Sequence, residues 1–245
     1  MKLAKLNNKA EIFYTIQGEG KNLGKPSIFV RTSLCNLHCI WCDTDYTWNW
    51  ENTPFESVTN KKYKREDYIL ETTAEDVASE IRQYGCYHIV LTGGEPMMQQ
   101  KELVSLMKIL KNENPSYYFE VETNGTLKPT VEFDKLIDQY NVSPKLANSN
   151  NEQKIRRKPP ALTYYASHSN SNFKFVIASE NDLEEVLEII HLYKINSSKV
   201  YLMPEGTDSQ SLKKKQAWLI EICKRYGFNY TDRMHIHIYG SKRGV

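Results

Sequence analysis

Three cysteines near the start of the chain have the residue type and the spacing to do chemistry. Cys35, Cys39 and Cys42 lie within eight residues and are three of the five cysteines in the sequence. A structural zinc site or a fully ligated 4Fe–4S cluster takes four protein ligands. Three thiolates leave one coordination position open, and a small molecule bound there could react. The spacing therefore predicts a reactive iron–sulfur site.

Two other interpretations of this stretch stay open on the residues alone. Positions i, i+4 and i+7 share one face of a helix, so the cysteines could form a buried stripe, although Leu37, Ile40 and Trp41 lie off that face. A zinc site is the second interpretation, with His38 as the fourth ligand. It is disfavoured because His38 and Cys39 are adjacent and make awkward joint ligands.

The composition limits the class of protein. The 245 residues carry a formal charge of +2, from 32 basic and 30 acidic side chains, so nothing indicates a nucleic-acid partner or an acidic membrane surface. No apolar run approaches the ~20 residues that span a bilayer, and Met1 to Asn8 carries charge without a hydrophobic stretch behind it. An odd number of unevenly spaced cysteines does not suggest a disulfide framework. We expect a soluble cytoplasmic protein with reduced thiols and one domain over residues 1–245.

Strand and helix patterns that could position the cysteines alternate along most of the chain. About six strand–helix units fall short of a complete barrel. The sequence thus predicts an α/β fold, an incomplete (β/α)6-type TIM-like barrel whose strand-end loops share one mouth. The predicted strands are Ile12–Ile16, Ser27–Arg31, His88–Thr92, Tyr117–Glu122, Asn141–Ser143, Phe173–Ile177, Lys199–Met203 and Met234–Tyr239. The predicted helices follow Thr72-Thr73, carry Leu103 to Leu110, carry Val131 to Ile137, follow an N-terminal cap at Asn181, and run from about Ser209 to Tyr226.

Some residues have no clear place in this alternation. Residues 49–70 are polar and aromatic without periodicity, which predicts a functional flap or an insertion. Residues 147–160 are interpreted as an Asn/Ser-rich and then basic loop. Cys86 and Cys223 are expected in the core. His235 and His237 would point to one side of the last strand, where two histidines without a third ligand are expected to be structural.

The cysteine stretch resembles the signature of radical S-adenosylmethionine (SAM) enzymes. Cys-x3-Cys-x2-Cys follows a predicted strand, with the aromatic Trp41 before the last cysteine. The resemblance implies that the three thiolates hold three irons of a 4Fe–4S cluster and that SAM chelates the fourth. An electron from the cluster then cleaves SAM, and the radical so formed abstracts a hydrogen atom from the substrate.

Two further stretches match the same family and end predicted strands. Gly93-Gly94-Glu95-Pro96 is by itself an ordinary strand-to-helix turn, but beside the cysteine motif it resembles the family's second motif. The resemblance implies that Gly94 lets the backbone approach SAM and that Glu95 accepts hydrogen bonds from its ammonium group. Ser143 and Lys145 would bind SAM hydroxyls or its carboxylate. Trp41 and Asp43 join them as expected cofactor-binding residues.

A finer resemblance is to the 7-carboxy-7-deazaguanine synthases of the queuosine and deazapurine pathways. It spans most of the chain, from about Ile12 to the last four residues. The matching stretches are Thr15-Ile16-Gln17-Gly18-Glu19-Gly20, Phe29-Val30-Arg31, Cys42-Asp43-Thr44, Thr92-Gly93-Gly94-Glu95-Pro96, Glu122-Thr123-Asn124-Gly125, Val142-Ser143-Pro144-Lys145 and Lys242-Arg243-Gly244-Val245. Those enzymes are carbon–nitrogen lyases that contract 6-carboxy-5,6,7,8-tetrahydropterin to 7-carboxy-7-deazaguanine, with loss of ammonia and a requirement for Mg²⁺.

That resemblance implies roles for individual residues. Thr44 would offer its hydroxyl to Mg²⁺, a hard cation that keeps several waters; otherwise Asp43-Thr44 is a turn or a helix cap. Arg31 would pair with the substrate carboxylate as a fork, although an ordinary ion pair is the default for one arginine. Ile16, Gln17 and Gly18 would contact the flat edge of the pterin, and Thr92 would also contact substrate.

Partners and alternatives follow from the same resemblance. It implies a homodimer and an electron donor such as flavodoxin or ferredoxin. The alternatives are an activase of glycyl-radical enzymes, against which the motifs around Gln17 and Arg31 speak, and a non-catalytic zinc-binding protein. One departure concerns Met203, which stands where the family often has glutamine, so that a side-chain contact to SAM is not predicted there.

Overall fold

Eleven strands form one sheet in the computed structural model, which describes residues 1–245. Strands β4, β6, β7, β8, β9, β10 and β11 run parallel in that order, and β1, β2, β3 and β5 add antiparallel pairs at the β4 side. The strands are β1 (Lys2–Leu6), β2 (Lys9–Ala10), β3 (Ile12–Ile16), β4 (Pro26–Thr32), β5 (Ile69–Glu71), β6 (His88–Gly93), β7 (Tyr118–Thr123), β8 (Gln139–Val142), β9 (Ser171–Ile177), β10 (Val200–Pro204) and β11 (Asn229–Tyr230). The sheet does not close into a barrel, which confirms the predicted incomplete form.

Nine helices connect the strands. Thr73 caps α2 as predicted, because its hydroxyl accepts a hydrogen bond from the Asp76 amide at 3.1 Å. At α7 the predicted cap by Asn181 is wrong, since the Asp182 carboxylate accepts from the Ala178 and Ser179 amides instead. The helices are α1 (Arg65–Tyr68), α2 (Ala74–Arg82), α3 (Gln100–Glu113), α4 (Val131–Asp134), α5 (Gln153–Arg156), α6 (Pro159–Ser167), α7 (Asp182–Tyr193), α8 (Ser209–Tyr226) and α9 (Met234–Tyr239).

Two segments differ from their predicted structure. Residues 234–239 form the helix α9, not a last strand, because the short β11 already takes the sheet edge and the Met234 amide donates to the Gly18 carbonyl at 2.9 Å. Alternation over six residues was too short a pattern to separate helix from strand. Within the predicted loop 147–160, residues 153–156 form α5, and Pro159 begins α6, where its missing N–H costs nothing.

Residues 49–70 are organised around one buried carboxylate, that of Asp45. The hydroxyls of Ser57, Thr59 and Tyr63 donate to it at 2.8, 2.8 and 2.9 Å. The Val58 amide donates to the Ile40 carbonyl at 2.8 Å, so the segment also lies against the cysteine stretch. It is folded by side-chain hydrogen bonds, which leave no periodic signature in the sequence.

The two faces of the parallel strands differ in polarity. Phe119 and Val121 of β7 point into an apolar cluster of 37 buried residues shared with the helices. Side chains on such a strand alternate between faces, so Glu120 and Glu122 point the other way, into the interior of the partial barrel. Lys174 of β9 is placed likewise, between Phe173 and Phe175. The interior is therefore polar, as a binding site for a polar ligand requires.

Side chains rather than a strand ladder close the open side of the partial barrel. The loop after β3 meets the segment after β11: the Gly20 amide donates to the Thr231 hydroxyl at 2.7 Å, and Arg233 pairs with Glu19 at 2.9 Å. We call this junction the seam. None of the helices is both long enough and apolar enough to cross a membrane.

Candidate active site

One cavity of about 260 Å³ opens at the carboxyl ends of the parallel strands. It is lined by all three clustered cysteines and by almost every residue that the sequence indicated. The predicted site residues in its wall are Ile16, Gln17, Gly18, Arg31, Cys35, Cys39, Trp41, Cys42, Asp43, Thr44, Thr92, Gly94, Ser143 and Lys145. Glu95 is the exception. Strand-end loops that share one mouth are the arrangement expected for a ligand site in this class of fold.

The cysteine loop is held so that each sulfur accepts one N–H. The Leu37 amide lies 3.5 Å from the Cys35 sulfur, the Asn151 amide nitrogen 3.4 Å from that of Cys39, and the Trp48 indole nitrogen 3.4 Å from that of Cys42. Such hydrogen bonds favour the thiolate form, and in iron–sulfur proteins they help to set the reduction potential.

Burial disfavours the ionised form of all three thiols. Burial raises the pKa of Cys35 well above its usual range, raises that of Cys39 to about 12, and raises that of Cys42. A bound metal centre would take the place of the proton and offset the cost of burying the charge. No group of three His, Cys, Asp or Glu side chains is gathered closely enough to hold a single ion. The thiols therefore fit a cluster in which each binds a different iron better than they fit one zinc shell.

Gly93 and Gly94 bring the end of β6 against the cysteine loop. Gly93 has a φ of +129°, and a Cβ there would overlap the backbone of Thr32; a Cβ at Gly94 would overlap the Leu34 carbonyl. The Gly94 and Glu95 amides donate to the carbonyls of Thr32 and Leu34 at 3.0 and 2.8 Å. Only glycine permits this close approach.

Glu95 does not face the cavity, contrary to the sequence prediction. Its side chain is fully buried and accepts hydrogen bonds from the Thr123 hydroxyl at 2.8 Å and from the amides of Asn124 and Met97 at 2.7 and 3.0 Å. Burial raises its pKa. In this structure Glu95 ties the end of β6 to the end of β7, where Thr123 and Asn124 lie in the cavity wall.

Ser143, Lys145 and Trp41 form one polar–aromatic edge of the cavity. The Lys145 ammonium donates to the Ser143 hydroxyl at 3.0 Å and lies 5.7 Å from the centre of the Trp41 ring. The Trp41 indole N–H donates to the Asn148 carbonyl at 2.9 Å, which fixes the ring. Met203, whose side chain is buried, also belongs to the cavity wall. A cationic and hydroxyl-bearing edge of this kind suits a ligand with a carboxylate and ribose hydroxyls.

Arg31 and Gln17 both lie in the cavity wall, but they differ in which of their hydrogen-bonding groups remain available to a ligand. The Nε of Arg31 donates to Glu11 at 3.1 Å, and its Nη atoms have no protein acceptor. The Gln17 amide nitrogen donates to Glu120 at 2.7 Å and to Glu122 at 3.2 Å, and its oxygen accepts from the Glu19 amide. Arg31 therefore offers a fork to a ligand, whereas Gln17 has its side-chain amide bonded on both sides.

A buried ion cluster lies beside the cysteines and was not predicted from the sequence. Glu19 pairs with Lys174 and with Arg233, and Arg233 also pairs with Asp43. Burial by itself would raise the pKa of Glu19, but the two cations hold it well below its usual range. The position of Lys174 could have been predicted from the sequence. Because side chains on a strand alternate between faces, a lysine between two phenylalanines points away from the apolar core that they enter.

Comparison with known proteins shows the family to which the chain belongs. The model of the radical SAM superfamily matches residues 29–210. The chain is 36% identical to 7-carboxy-7-deazaguanine synthase of Pyrobaculum aerophilum, over 96% of this chain and 95% of the relative. The chain belongs to the 7-carboxy-7-deazaguanine synthase family of radical SAM enzymes. It is also 34% identical to the synthase of Rhodopirellula baltica, over 96% of this chain and 88% of that one.

A solved structure agrees with this membership. The fold resembles the crystal structure of QueE from Escherichia coli, with a TM-score of 0.65 and 25% identity over 96% of this chain and 95% of that one. As a radical SAM enzyme the protein uses a 4Fe–4S cluster and SAM, so the cysteine stretch is neither a helical core stripe nor a zinc site. The alternatives of a zinc-binding protein and of a glycyl-radical activase are wrong.

Proposed function

We propose that the protein converts 6-carboxy-5,6,7,8-tetrahydropterin into 7-carboxy-7-deazaguanine and ammonia, and that the residues of this one cavity carry the reaction. The main support is the cavity itself, which brings the three cysteines together with the free guanidinium edge of Arg31. A radical centre held by the cysteines would thus lie in the same space as a fork for a carboxylate. The names of the related synthases support the choice of this reaction.

Cys35, Cys39 and Cys42 would hold the cluster and leave its fourth iron to SAM. Bound together, cluster and SAM supply the radical that removes a hydrogen atom from the substrate. The Ser143–Lys145–Trp41 edge and Asp43 would orient SAM, with the Gly94 backbone as the surface of close approach. Because these groups are fixed by hydrogen bonds before any ligand binds, they are ordered in advance for the reaction.

The substrate would bind on the opposite wall. Arg31 would take the 6-carboxylate, and Thr92, whose hydroxyl donates to Glu122 at 2.7 Å, would lie against the pterin ring. Ile16, Gln17 and Gly18 would form the wall along the edge of the ring. The Gln17 side chain would act there as a shaped surface, because its amide is already bonded within the protein.

Thr44 would bind Mg²⁺ together with the substrate carboxylate. Its hydroxyl lies in the cavity wall, 3.5 Å from the Cys42 sulfur. A neutral oxygen ligand beside a substrate carboxylate suits a cation that keeps most of its water. Glu19 and Asp43 in the wall are already paired with cations, whereas the Thr44 hydroxyl has no such partner.

Thr44→Ala is expected to lower turnover about 10- to 100-fold and to weaken its dependence on Mg²⁺, in line with the loss of one oriented metal contact. The measurement is initial rate against Mg²⁺ concentration, with iron and sulfide content determined on the same samples. Thr53→Ala, in the segment of residues 49–70 outside the cavity, is the matched control and should behave as wild type. If Thr44→Ala instead reduces the iron content, Thr44 has a structural role and the Mg²⁺ assignment fails.

The reaction is tested by an anaerobic assay of the reconstituted protein with SAM, a reductant, Mg²⁺ and 6-carboxytetrahydropterin. We expect 7-carboxy-7-deazaguanine and ammonia as products. Because these two together hold all the atoms of the pterin, the hydrogen atom that is removed must be returned, and SAM should not be consumed in proportion to product. SAM cleavage without the deazaguanine acid would contradict the substrate assignment.

The partners are proposed on the resemblance alone: a homodimer in the cytoplasm, reduced by a flavodoxin or a ferredoxin. Sedimentation of the anaerobic protein tests the dimer, and replacement of the chemical reductant by each donor tests the second proposal. A monomer at micromolar concentration, or a rate unaffected by either donor, would contradict them.

A further inference from the structure

Glu11 is a buried carboxylate that the reaction proposed above does not use. Its side chain is 1% exposed and accepts three hydrogen bonds from three separate parts of the chain. Arg31 Nε and the Tyr46 hydroxyl donate to Oε1, each at 3.1 Å, and Arg243 Nη2 donates to Oε2. Each of these donors belongs to a residue of the cavity wall.

The backbone fixes the position of this carboxylate. Glu11 lies between β2 and β3, where its amide donates to the Ala4 carbonyl at 2.7 Å and its carbonyl accepts from the Arg31 amide at 3.2 Å. Both neighbours belong to strands of the sheet, β1 and β4. The carboxylate therefore has a fixed position and can orient the long side chains that donate hydrogen bonds to it.

Arg31 is oriented by the contact to Glu11. Only its Nε donates within the protein, so the guanidinium is oriented while both Nη atoms keep no protein acceptor. This is the edge that can bind a carboxylate as a fork. An arginine has many rotamers, and fixing it before the ligand arrives removes that entropy cost from binding.

Arg243 connects the same carboxylate to the segment 240–245, which lines the cavity. Its guanidinium stacks 3.6 Å from the centre of the Tyr46 ring and donates to the Lys5 carbonyl at 3.0 Å. Two guanidinium groups on one carboxylate repel each other if that carboxylate is lost. Removing Glu11 would thus release Arg31 and Arg243 together.

We infer that Glu11 is a positioning residue, which aims the free edge of Arg31 at the substrate carboxylate and docks the segment 240–245 as a wall of the cavity. The inference rests on the proposed function, because it takes the substrate to be the carboxylated pterin. Glu11 itself belongs to the cavity wall, but its side chain is 1% exposed and its carboxylate is taken up by three donors, so it acts through Arg31.

The test is Glu11→Gln, which keeps the size of the side chain but removes the charge and one acceptor oxygen. We expect the KM for 6-carboxytetrahydropterin to rise roughly 10- to 100-fold, as for the loss of a hydrogen bond to a charged group, with kcat changed by less than about threefold. The inhibition constant of tetrahydropterin, which lacks the carboxylate, should stay within about twofold, because its binding does not use Arg31.

A double-mutant cycle shows whether the effect passes through Arg31. In the Arg31→Gln background, a further Glu11→Gln change should add little to KM, since non-additivity marks residues that act as a unit. Equal increases in KM and in the inhibition constant of tetrahydropterin, or full additivity with Arg31→Gln, would overturn the inference. So would an unchanged KM in Glu11→Gln.

Two controls keep these outcomes separate from a folding defect and from a wrong substrate. Glu71→Gln removes a carboxylate of β5 that is 76% exposed, paired with Lys2 at 3.8 Å and remote from the cavity wall, and should leave KM unchanged. The circular dichroism at the assay temperature and the iron content of Glu11→Gln should match those of wild type, while its unfolding temperature should fall because Arg31 and Arg243 lose a charged partner. A variant that loses iron counts against a role confined to positioning. If the wild-type protein does not convert the pterin at all, the proposed function itself fails. If wild type converts the pterin and only the Glu11→Gln result disagrees, the Glu11 inference alone fails.

Discussion

Replacing Cys39 by alanine is expected to remove the brown colour of the anaerobic protein and to reduce both SAM cleavage and turnover to the background of the reaction without enzyme. The cluster would need all three thiolates, because its fourth iron would be left to SAM and the nearby carboxylates of Asp43 and Glu19 are already paired with Arg233. The protein supplies binding and orientation, while the radical chemistry is that of the cofactors. Without the cluster, nothing in the cavity can take over that chemistry.

The measurements for Cys39→Ala are iron and sulfide content, the visible absorption of the reconstituted protein, and 5′-deoxyadenosine formed from SAM. Cys86→Ala is the matched control, since Cys86 is also a free cysteine but lies outside the cavity, with its sulfur 3.6 Å from the Pro26 carbonyl. It should keep the colour and the activity. A Cys39→Ala protein with a full cluster and normal SAM cleavage would show that the three cysteines are not the ligand set.

The largest effect on stability is expected for Glu120→Ala, at about 3–5 kcal/mol of unfolding free energy, the range found when one partner of a buried charged group is removed. Glu120 is fully buried in the barrel interior and accepts from Gln17 at 2.7 Å, from Asn22 at 2.6 Å and from Asn141. On its other side, the Nε2 of His88 lies 3.4 Å away and has no hydrogen-bond partner of its own.

The physical reason for this effect is the number of donors that would be left alone. In Glu120→Ala the Asn141 amide would lose its acceptor, and Gln17 and Asn22 would keep only their contacts to Glu122 and Gln139, each at 3.2 Å. A buried donor left without an acceptor carries its own desolvation cost. Chemical denaturation of the apoprotein, followed by circular dichroism, measures the change without interference from the cluster. Glu113→Ala is the control: its carboxylate is 43% exposed and pairs with Arg82 on the surface, so we expect little change. Equal stability of the two variants would show that the Glu120 network does not hold the fold.

The sequence predicted the architecture well because the fold depends on a repeated pattern. Strand and helix periodicities are local, so β6 to β10 and the helices α2, α3, α7 and α8 were found within a few residues. The cysteine loop and the Gly93-Gly94 turn were also predictable, since each motif lies within a few consecutive residues and demands particular residue types. Both segments lie in the wall of the cavity.

What could not be predicted depends on contacts between distant residues. Glu19, Lys174 and Arg233 form one ion cluster although more than 150 positions separate the first from the second. The predicted orientation of the Glu95 side chain was wrong for a similar reason. Its carboxylate was expected to face a ligand, but it accepts hydrogen bonds from the Thr123 hydroxyl and the Asn124 amide at the end of β7. Helix α9 was missed because only its contact with Gly18 distinguishes it from a strand.

The seam has a consequence for the order in which the protein folds. Its contacts join residues 211 positions apart at Gly20 and Thr231 and 214 positions apart at Glu19 and Arg233. Closing so long a loop costs more chain entropy than pairing neighbouring strands, and contacts of such high sequence separation form late. In pulsed hydrogen exchange during refolding, the amides of Gly20 and Met234 should therefore gain protection after those of β6 and β7. The sheet would exist before the seam joins, and the active-site cavity would be the last part of the molecule to be assembled.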